Sequence, residues 1–412
     1  MTRRVVITGC SAITPIGHGK DAIVDNLTKG VSGVKTLKTD DLYSQYIDTD
    51  VFGTVDYAVD YDFKRQDRKT MGPVAYYACQ VAKDVLENAG LGEAFVTSGR
   101  LGVAFGSTHG SPLVQRELYQ ALFDKSHTGY SSIKAVDYLK FMVHTTAVNI
   151  TKMFGITGRV ISSSTACTTS SQSIGFGYEM VKYGMQDAML CGGADEYDMA
   201  TVAVFDNLMA SSTDFNATPH LTPRPFDRNR DGLVVGEGAG AVLLESYAFA
   251  KKRGAEILAE VIGFSCNNNG GNLVLPSKKG ITKTIKLGLK DAAVSADTVD
   301  FVSAHATATK MGDTIEAQAT GEVYGKTPVV SGLKSYTGHT MGSCGVIESI
   351  MTIYMMQDGF IAPTLNLDNI DERCAMIRHA QEIHAADIRI AAIQNFAFGG
   401  VNTCLLLKNL NQ

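Results

Sequence analysis

A cysteine among small residues is the first candidate for chemistry in this chain. Cys167 lies in the run of small residues 162–171, and a helical apolar pattern follows at Ile174, Tyr178 and Val181. Small residues permit a sharp turn, so Cys167 is expected at a helix N-terminus, where the macrodipole and free N–H groups lower a thiol pKa. Most cysteines are buried and inert, so its assignment as a nucleophile depends on the surrounding residues.

Two histidines lie in similar surroundings in the second half of the chain. His305 lies in residues 303–309 and His339 in residues 334–345, and each follows a strand-like run and is flanked by small residues. Neutral imidazoles can donate hydrogen bonds to a carbonyl that becomes an enolate, or help to break a C–CO₂ bond. A cysteine with two histidines could also bind zinc, but no fourth ligand is evident, so catalysis is the favoured interpretation.

A lysine precedes the second histidine by five residues. Lys334 could be an ordinary surface lysine, which is the usual case. Alternatively it forms a buried pair with Glu348 in the following helix and orients His339.

Two glycine-rich segments have different interpretations. Residues 225–240 lack the GK[ST] ending of a phosphate loop and run into a strand, so their glycines are expected to permit close backbone packing. Residues 395–402 place aromatic side chains, including Phe398, beside paired glycines. This pattern indicates either a mobile or strained loop or a hydrophobic turn in the core.

Apolar periodicity places these segments in an α/β protein. Strands are predicted at residues 4–8, 101–105, 188–191, 240–245, 259–266, 301–304, 329–332 and 388–394, and helices at residues 71–89, 171–183, 279–293 and 345–357. Strands that alternate with helices indicate mixed sheets covered by helices. The two halves show a similar order of elements, and we place their boundary between residues 1–250 and 251–412.

Composition excludes several classes of protein. The 412 residues are 45% hydrophobic and 19% charged, with a net charge of −5 and no long basic run, so nucleic acid is not an expected partner. The eight cysteines are scattered without a CxxC pair, which is typical of a reduced, cytoplasmic protein. No apolar stretch is long enough for a signal peptide or a membrane span.

Five groups of residues occur in an order that is specific to one family. They are residues 165–167; residues 224–227 with 230–232 and 236–240; Ala304 and His305 with Gly312, Asp313 and Glu316; Lys334 with Gly338, His339 and Gly342; and residues 398–400 with Asn402. Together they resemble the ketosynthases of the thiolase superfamily, most closely β-ketoacyl-(acyl-carrier-protein) synthase II-like enzymes.

The resemblance implies a fold and a reaction. The family has a duplicated five-layer α-β-α-β-α thiolase fold, usually in dimers, and requires no organic cofactor or metal. By resemblance, Cys167 accepts an acyl chain from an acyl carrier protein, and His305 and His339 promote decarboxylation of a malonyl-loaded carrier. The resulting enolate attacks the acyl thioester.

The resemblance also implies supporting roles for other residues. The backbone N–H groups of Cys167 and Phe398 form an oxyanion hole, and Phe398 is the gate between the two substrates. Lys334 and Glu348 support His339. Asp313 and Glu316 are supporting residues of the His305 motif.

The chain departs from the family pattern at several positions. Ala306 replaces the usual glycine after the first histidine, and Ala308 replaces a small polar residue or glycine; their methyl groups are expected to reshape the malonyl site. Residues 106–110 are also unusual. We infer a specialised product such as a polyene or aryl polyene, made by a homodimer or by a heterodimer with a chain-length-factor-like subunit.

Three other functions remain open on the sequence. A thiolase-like acyltransferase shares the fold but generally uses a second catalytic cysteine. A catalytically silent partner subunit would not need Cys167 and both histidines. A cysteine hydrolase would leave the second histidine loop unexplained.

Overall fold

Helices and strands alternate along the chain. The computed structural model describes residues 2–37, 46–55, 63–124 and 129–410. The helices in this part are α1 Gly19–Lys29, α2 Arg65–Arg68, α3 Pro73–Asn88, α4 Glu93–Val96, α5 Pro112–Phe123, α6 Ala135–Phe141, α7 Thr145–Phe154, α8 Thr169–Lys182, α9 Met199–Asn207, α10 Tyr247–Lys252, α11 Lys278–Ala292, α12 Lys310–Tyr324, α13 Lys334–Thr337 and α14 Cys344–Asp358.

The strands are shorter on average than the helices. They are β1 Val5–Thr14, β2 Gly17–His18, β3 Val34–Thr36, β4 Val51–Gly53, β5 Leu101–Gly106, β6 Val160–Ile161, β7 Ala188–Asp195, β8 Val235–Gly236, β9 Gly238–Ser246, β10 Ala259–Asn268, β11 Phe301–Ser303, β12 Val329–Ser331, β13 Phe360–Ile361, β14 Arg378–His379, β15 His384–Ala385, β16 Ile390–Phe396 and β17 Val401–Lys408.

The strand order repeats in the two halves. The first half is ordered β6-β5-β7-β9-β1 and the second β12-β11-β16-β17-β10, with β14 added beyond β12. In each set of five, the strand that is third in sequence lies at one end and the first lies at the other. The direction of pairing is also the same at each step of the two rows. The first two pairs of each row are parallel and the last two are antiparallel. Strands β1 and β10 pair antiparallel and join the two rows. The architecture is therefore a duplicated unit.

Helices cover both rows of strands in five layers. Helices α8 and α14 lie between the two halves, and each contacts strands of both. Helices α3 and α7 cover the outer face of the first row, and α11 and α12 pack against the outer face of the second.

Alternation along the strands supplies three separate cores. On β9, Leu243 packs outwards against α3, whereas Leu244 packs inwards on the central helices. On β17, Leu406 packs outwards and Leu407 inwards. Successive strand residues face opposite sides, so strands buried on both faces read as continuous apolar runs.

All predicted elements are present, and their ends differ by a few residues. The predicted helix 71–89 begins at Pro73, because Gly72 is extended and proline suits the first helical position. Helix α8 begins two residues before the predicted start at 171, which brings the helix closer to Cys167. Strand β17 and helix α12 were not predicted.

All eight cysteines are free thiols, as their scattered spacing predicts. Among the helices in the described part of the chain, none combines the length and hydropathy that crossing a bilayer requires.

Candidate active site

A cavity of about 450 Å³ contains most of the predicted site residues. Cys167, His305, Glu316, His339 and Phe398 all line it. These residues come from both halves of the chain, so the two halves build the cavity jointly. Lys334, Glu348 and Asp313 are buried behind the lining.

Cys167 stands at a strained turn between β6 and α8. The preceding Ala166 has a φ of 49°, a left-handed conformation that is uncommon for residues other than glycine. Thr169 N–H donates to the Ala166 carbonyl at 3.0 Å, and its hydroxyl accepts from Thr165 N–H at 2.8 Å. The turn is thus fixed on both sides, and Cys167 precedes the helix by two residues as the sequence predicts.

The Cys167 sulfur faces two backbone donors. The N–H groups of Cys167 and Phe398 both hydrogen-bond to it and favour the thiolate. These are the two groups predicted to form the oxyanion hole. Donors beside the sulfur lie near the place that the carbonyl oxygen of a bound thioester would occupy, and the oxyanion of an acyl transfer develops on that oxygen.

The predicted lowering of the Cys167 pKa is wrong. Burial raises the pKa of the thiol to about 11, and the Lys334 charge and the two backbone N–H groups only partly oppose this effect. The side chain is 8% exposed, and desolvation disfavours a charged sulfur. Cys167 is therefore a neutral thiol at rest.

His339 contacts the cysteine directly. Its Nε2 lies 3.0 Å from Cys167 Sγ, and its Nδ1 accepts the Met341 backbone N–H at 3.2 Å. Since Nδ1 is an acceptor, the proton of the neutral ring lies on Nε2 and points towards the sulfur. His339 is therefore a hydrogen-bond donor in the cavity.

The glycine-rich segment before β9 holds the His339 backbone. His339 N–H donates to the Val234 carbonyl at 2.7 Å, and Gly236 N–H donates to the His339 carbonyl at 2.9 Å. A Cβ on Gly236 would lie 2.6 Å from the Thr337 carbonyl oxygen. This close approach confirms the predicted packing role of the glycines.

His305 lies against His339 in the same cavity. Their ring centroids are 5.3 Å apart and the rings are nearly perpendicular, at 89°. Glu316 fixes the His305 loop, because its carboxylate oxygens accept the N–H groups of His305 and Ala306, each at 2.7 Å. Within the described chain, His305 Nδ1 has no hydrogen-bond partner.

Both histidines are neutral in this setting. Burial, followed by the positive charge of Lys334, lowers the pKa of each imidazole well below its ordinary value. Neutral rings at physiological pH are hydrogen-bond donors without a net charge.

The predicted buried pair is present behind His339. Lys334 Nζ contacts Glu348 Oε1, and both side chains are almost fully buried. Asn395 Nδ2 donates to the other Glu348 oxygen at 2.7 Å, and its Oδ1 accepts the Ser171 hydroxyl. Both halves of the chain thus share one buried polar network, which the sequence did not reveal beyond Lys334 and Glu348.

Asp313 connects the His305 loop to the segment that begins with Pro225. It accepts the Phe226 N–H at 2.8 Å and the Ala308 N–H at 3.0 Å. Arg230 lies 3.7 Å from Asp313 and donates to the Thr309 carbonyl. Asp313 contacts loops rather than the cavity, so it supports the loop geometry.

Ala306 and Ala308, which were expected to reshape the malonyl site, are not among the residues that line the cavity. Both side chains are buried away from the cavity, and Ala306 belongs to the core under α11 and α12. Both residues have positive φ, at 34° and 66°, so the chain places alanine where glycine is easier to accommodate. The neighbouring Thr307 and Thr309 line the cavity instead.

Phe398 lies in the turn between β16 and β17. It is 36% exposed, and its ring centroid is 5.8 Å from that of Phe205. Gly399 and Gly400 have φ values of 86° and 72°, which glycine adopts readily, and the exposure of Phe398 excludes a hydrophobic turn buried in the core. Gly399 N–H donates to the Leu273 carbonyl at 2.7 Å, so a second loop holds this turn.

In the part of the chain that the structure describes, one group of side chains has the composition of a metal site. Ligand atoms of Cys167, His305 and His339 lie within 4.8 Å of one another. Three protein ligands with an open position suit a catalytic zinc, but His339 carries its proton on the nitrogen that faces the sulfur. That proton would have to leave before the ring could bind a metal, so the geometry favours hydrogen bonding.

Sequence reasoning missed two contributors to the site. Asn395 bridges Glu348 to Ser171, and the only signal was a polar residue just after a predicted buried strand. The Met341 N–H selects the His339 tautomer. Every residue except proline carries a backbone N–H, so the residue type at position 341 could not reveal this contact.

Comparisons with known proteins match this chain to one family. The N-terminal domain model of the β-ketoacyl synthase family matches residues 2–250, and its C-terminal domain model matches residues 258–368. The 3-oxoacyl-[acyl-carrier-protein] synthase 1 of Haemophilus influenzae is 33% identical over 414 residues, covering 99% of this chain and 100% of that protein.

Solved structures share the whole fold. A β-ketoacyl synthase from Burkholderia phymatum has a TM-score of 0.95 and 41% identity, and the ishigamide ketosynthase/chain length factor has a TM-score of 0.89 and 29% identity. Each alignment covers 100% of both chains. These likenesses confirm the predicted duplicated thiolase fold, and this chain belongs to the β-ketoacyl synthase family.

Proposed function

We propose that this chain is a ketosynthase that condenses an acyl thioester with a malonyl-loaded acyl carrier protein through an acyl-Cys167 intermediate. One observation carries the proposal: the protonated Nε2 of His339 lies 3.0 Å from the Cys167 sulfur, beside a second neutral histidine. The carrier as partner is supported by the name of the Haemophilus influenzae relative.

The first half-reaction loads Cys167. The sulfur attacks the acyl thioester, and the N–H groups of Cys167 and Phe398 stabilise the oxyanion. The new S–C bond forms as the carrier S–C bond breaks, and the thiol proton passes to the departing carrier thiolate.

The second half-reaction forms the carbon–carbon bond. Cleavage of the malonyl C–CO₂ bond releases CO₂ and leaves an enolate, whose oxygen accepts hydrogen bonds from His305 and His339. The enolate carbon bonds to the acyl carbonyl carbon while the Cys167 S–C bond breaks. The released thiolate then takes up one proton.

The remaining site residues support this chemistry. Lys334 and Glu348 hold the segment that carries His339, and Glu316 and Asp313 hold the His305 loop. Phe398, at the cavity mouth on a turn with two left-handed glycines, is the proposed gate between the two substrates.

The thiolase-like alternative fits the cavity less well. Among the described residues that line the cavity, Cys167 is the one cysteine. Cys344 is buried behind the lining, and its thiol donates to the Cys167 carbonyl at 3.2 Å. A second catalytic cysteine is therefore not placed to act. A silent partner subunit would not need a nucleophile with two neutral histidines beside it.

The decisive experiment follows each half-reaction separately. Incubation with an acyl-loaded carrier should add one acyl group to the intact mass, and Cys167→Ala should abolish this addition. His339→Ala should retain loading but lose release of labelled CO₂ from malonyl-carrier. Acylation that persists in Cys167→Ala would overturn the assignment, and wild-type loading without CO₂ release would favour the thiolase-like alternative.

We further propose a polyene or aryl polyene product and a second subunit. Support comes from the likeness to the ishigamide ketosynthase/chain length factor and from strand β6 at the end of the sheet, where Val160 is exposed. An exposed edge strand is a common pairing surface. Co-purification from the native host, with mass spectrometry of the bound acyl chain, tests this; a fully active homodimer making saturated chains would contradict it.

We also propose a functional division into residues 1–250 and 251–412, and a cytoplasmic location. The repeated strand order supports the division. The eight free cysteines support a reducing compartment.

A further inference from the structure

The outer face of helix α11 carries charge of one sign. Seven residues of this helix are exposed, and five of them are lysines: Lys278, Lys279, Lys283, Lys286 and Lys290. The other two are Leu287 and Asp291. Five lysines and one aspartate give the helix a net charge of +4, whereas the whole chain carries −5, so the rest of the chain carries −9. Helix α11 is thus a positive surface on an acidic protein.

Four of these lysines form a row, which we call the lysine stripe: Lys279, Lys283, Lys286 and Lys290. Their spacings of four, three and four residues place them on one side of the helix. At the rise of an α-helix, the row is about 16 Å long. Leu287 follows Lys283 by four residues and therefore lies beside the stripe, where it is 37% exposed.

Two acidic side chains at this surface are already paired. Glu322, on the neighbouring helix α12, lies 3.0 Å from Lys278 and 3.6 Å from Lys286. Asp291 lies 2.8 Å from Lys182. Within the described ranges of the chain, the other three lysines of the stripe have no ion-pair partner. Their charges are open to a partner outside the chain.

The stripe is unfavourable for the helix that carries it. Like charges four residues apart on a helix repel each other and destabilise it. The first turn, where the macrodipole favours acidic residues, contains Lys278 and Lys279 and no acidic residue. A negatively charged partner would offset this repulsion, so the arrangement indicates binding rather than a contribution to stability.

The composition of the stripe favours a lipid surface over a protein partner. Protein interfaces are depleted in lysine, and their anchors are aromatic residues and arginine. Helix α11, which the structure describes in full, exposes neither of these. Lysine is a strongly hydrated point charge without the forked geometry of arginine. A row of such charges suits a diffuse layer of anionic headgroups.

The helix can meet such a layer only with its polar face. Its apolar residues Ile281, Ile285 and Leu289 are buried in the core of the second half. A helix that enters the acyl region of a bilayer needs a free apolar face. Association through α11 is therefore electrostatic and peripheral, with Leu287 as a minor apolar contact.

We propose that the lysine stripe binds an anionic lipid surface and holds the protein peripherally at a membrane. This inference goes beyond the proposed function and does not depend on it. Helix α11 belongs to an outer layer of the fold, so a flat surface reaches the stripe without entering the molecule. Salt screens charges over about 8–10 Å, so acidic residues on distant surfaces oppose the attraction little.

Sedimentation with vesicles tests the proposal on the full-length protein. Wild type should sediment at low salt with vesicles of equal parts phosphatidylcholine and phosphatidylglycerol, and not with phosphatidylcholine alone. In Lys279→Gln with Lys283→Gln and Lys290→Gln, the partition coefficient should fall roughly tenfold to a hundredfold, because each lysine near an anionic surface adds to binding. Salt at about 500 mM should release wild type from the vesicles.

A matched variant separates the stripe from net charge. Lys83→Gln with Lys251→Gln and Lys252→Gln makes the same change in net charge on α3 and α10, which pack against strands of the first row. This variant should bind the anionic vesicles as wild type does. Equal losses in both triple variants would overturn the proposal, because net charge alone would then explain the binding.

Two further results would reject the lipid surface. One is a wild-type protein that stays in the supernatant with the anionic vesicles at low salt. The other is an α11 variant whose vesicle binding is unchanged but whose kcat/KM for Cys167 acylation by a hexanoyl-loaded carrier falls about tenfold, which would assign the stripe to an acidic protein. Hexanoyl-pantetheine should acylate the variant at the wild-type rate, which shows that it is folded. Sedimentation needs no catalysis, so its failure leaves the proposed function standing.

Discussion

At the scale of single residues, one buried lysine affects the chemistry of three others. The Lys334 charge favours the Cys167 thiolate and disfavours protonation of both His305 and His339. Glu348 keeps Lys334 ionised and buried. Lys334 is a positioning residue, and its charge also keeps the two imidazoles neutral.

Removing this charge should move the pH dependence of decarboxylation. Neutral histidines are the active form, so activity is lost as pH falls through their lowered pKa values. In Lys334→Met with Glu348→Gln the pKa values should rise, and the acidic limb of kcat/KM should move up by as much as about one pH unit. The pH–rate profile of CO₂ release from malonyl-carrier measures this shift.

Lys334 and Glu348 are replaced together so that the effect on pH dependence is not confused with a loss of stability. Lys334→Met alone would leave Glu348 buried without a partner, at a cost of roughly 3–5 kcal/mol. Glutamine can still accept the Asn395 hydrogen bond. Lys310→Met, which removes an exposed lysine at the mouth, is the control. An acidic limb that stays in place while the rate falls would mean that Lys334 acts only by holding the loop.

At the scale of elements, the contact between α8 and α14 places the nucleophile beside His339. The two helices occupy equivalent positions in the duplicated units, because α8 follows β6 and α14 follows β12, the strand that is third in sequence in each row. Cys167 lies just before α8 and His339 just before α14. The two loops are thus related by the duplication, and the central layer brings them together.

Gly345 permits this close contact. A Cβ at this position would lie 2.0 Å from Ser171 Oγ and 2.7 Å from Asn395 Oδ1. Gly345→Ala should lower the free energy of unfolding by roughly 2 kcal/mol, because overpacking outweighs the better helix propensity of alanine. It should also slow iodoacetamide labelling of Cys167. Urea unfolding and labelling rates provide the measurements.

A double-mutant cycle tests the cause of this loss. Ser171→Ala removes the nearest atom, so Gly345→Ala should be less destabilising in that background. Equal losses in both backgrounds would contradict a local overlap. If Gly345→Ala left the free energy of unfolding unchanged, α8 and α14 could move apart to accept the extra methyl group at no cost.

At the scale of the whole molecule, the two halves are one structural unit. The central core draws Ile174 and Val181 from the first half and Val346 and Ile350 from the second. Strands β1 and β10 pair across the junction. Separating the halves would expose this core.

The chain should therefore unfold in one step. We expect a single transition in which the calorimetric and van't Hoff enthalpies agree, because neither half retains a complete core alone. Residues 1–250 expressed alone should be unfolded or insoluble. Two resolved transitions, or a folded and soluble fragment, would contradict this expectation.

The sequence by itself determined the residue types and their order. Apolar alternation predicted the principal strands, because strands buried on both faces need continuous apolar residues. Small residues beside Cys167, His305 and His339 predicted three reactive loops, and Phe398 was recognised beside its glycines. The strands are present and the three loops meet at one cavity, because strands and loops follow local rules of backbone geometry.

Only the tertiary structure decided the states of these residues and their surroundings. The Cys167 pKa was predicted in the wrong direction because burial exceeds the influence of the helix terminus. Ala306 faces the core, Met341 sets the His339 tautomer, and the lining of the cavity gathers segments that are distant in sequence. Desolvation, tautomer choice and surface assembly depend on distances through space, and residue order alone does not specify those distances.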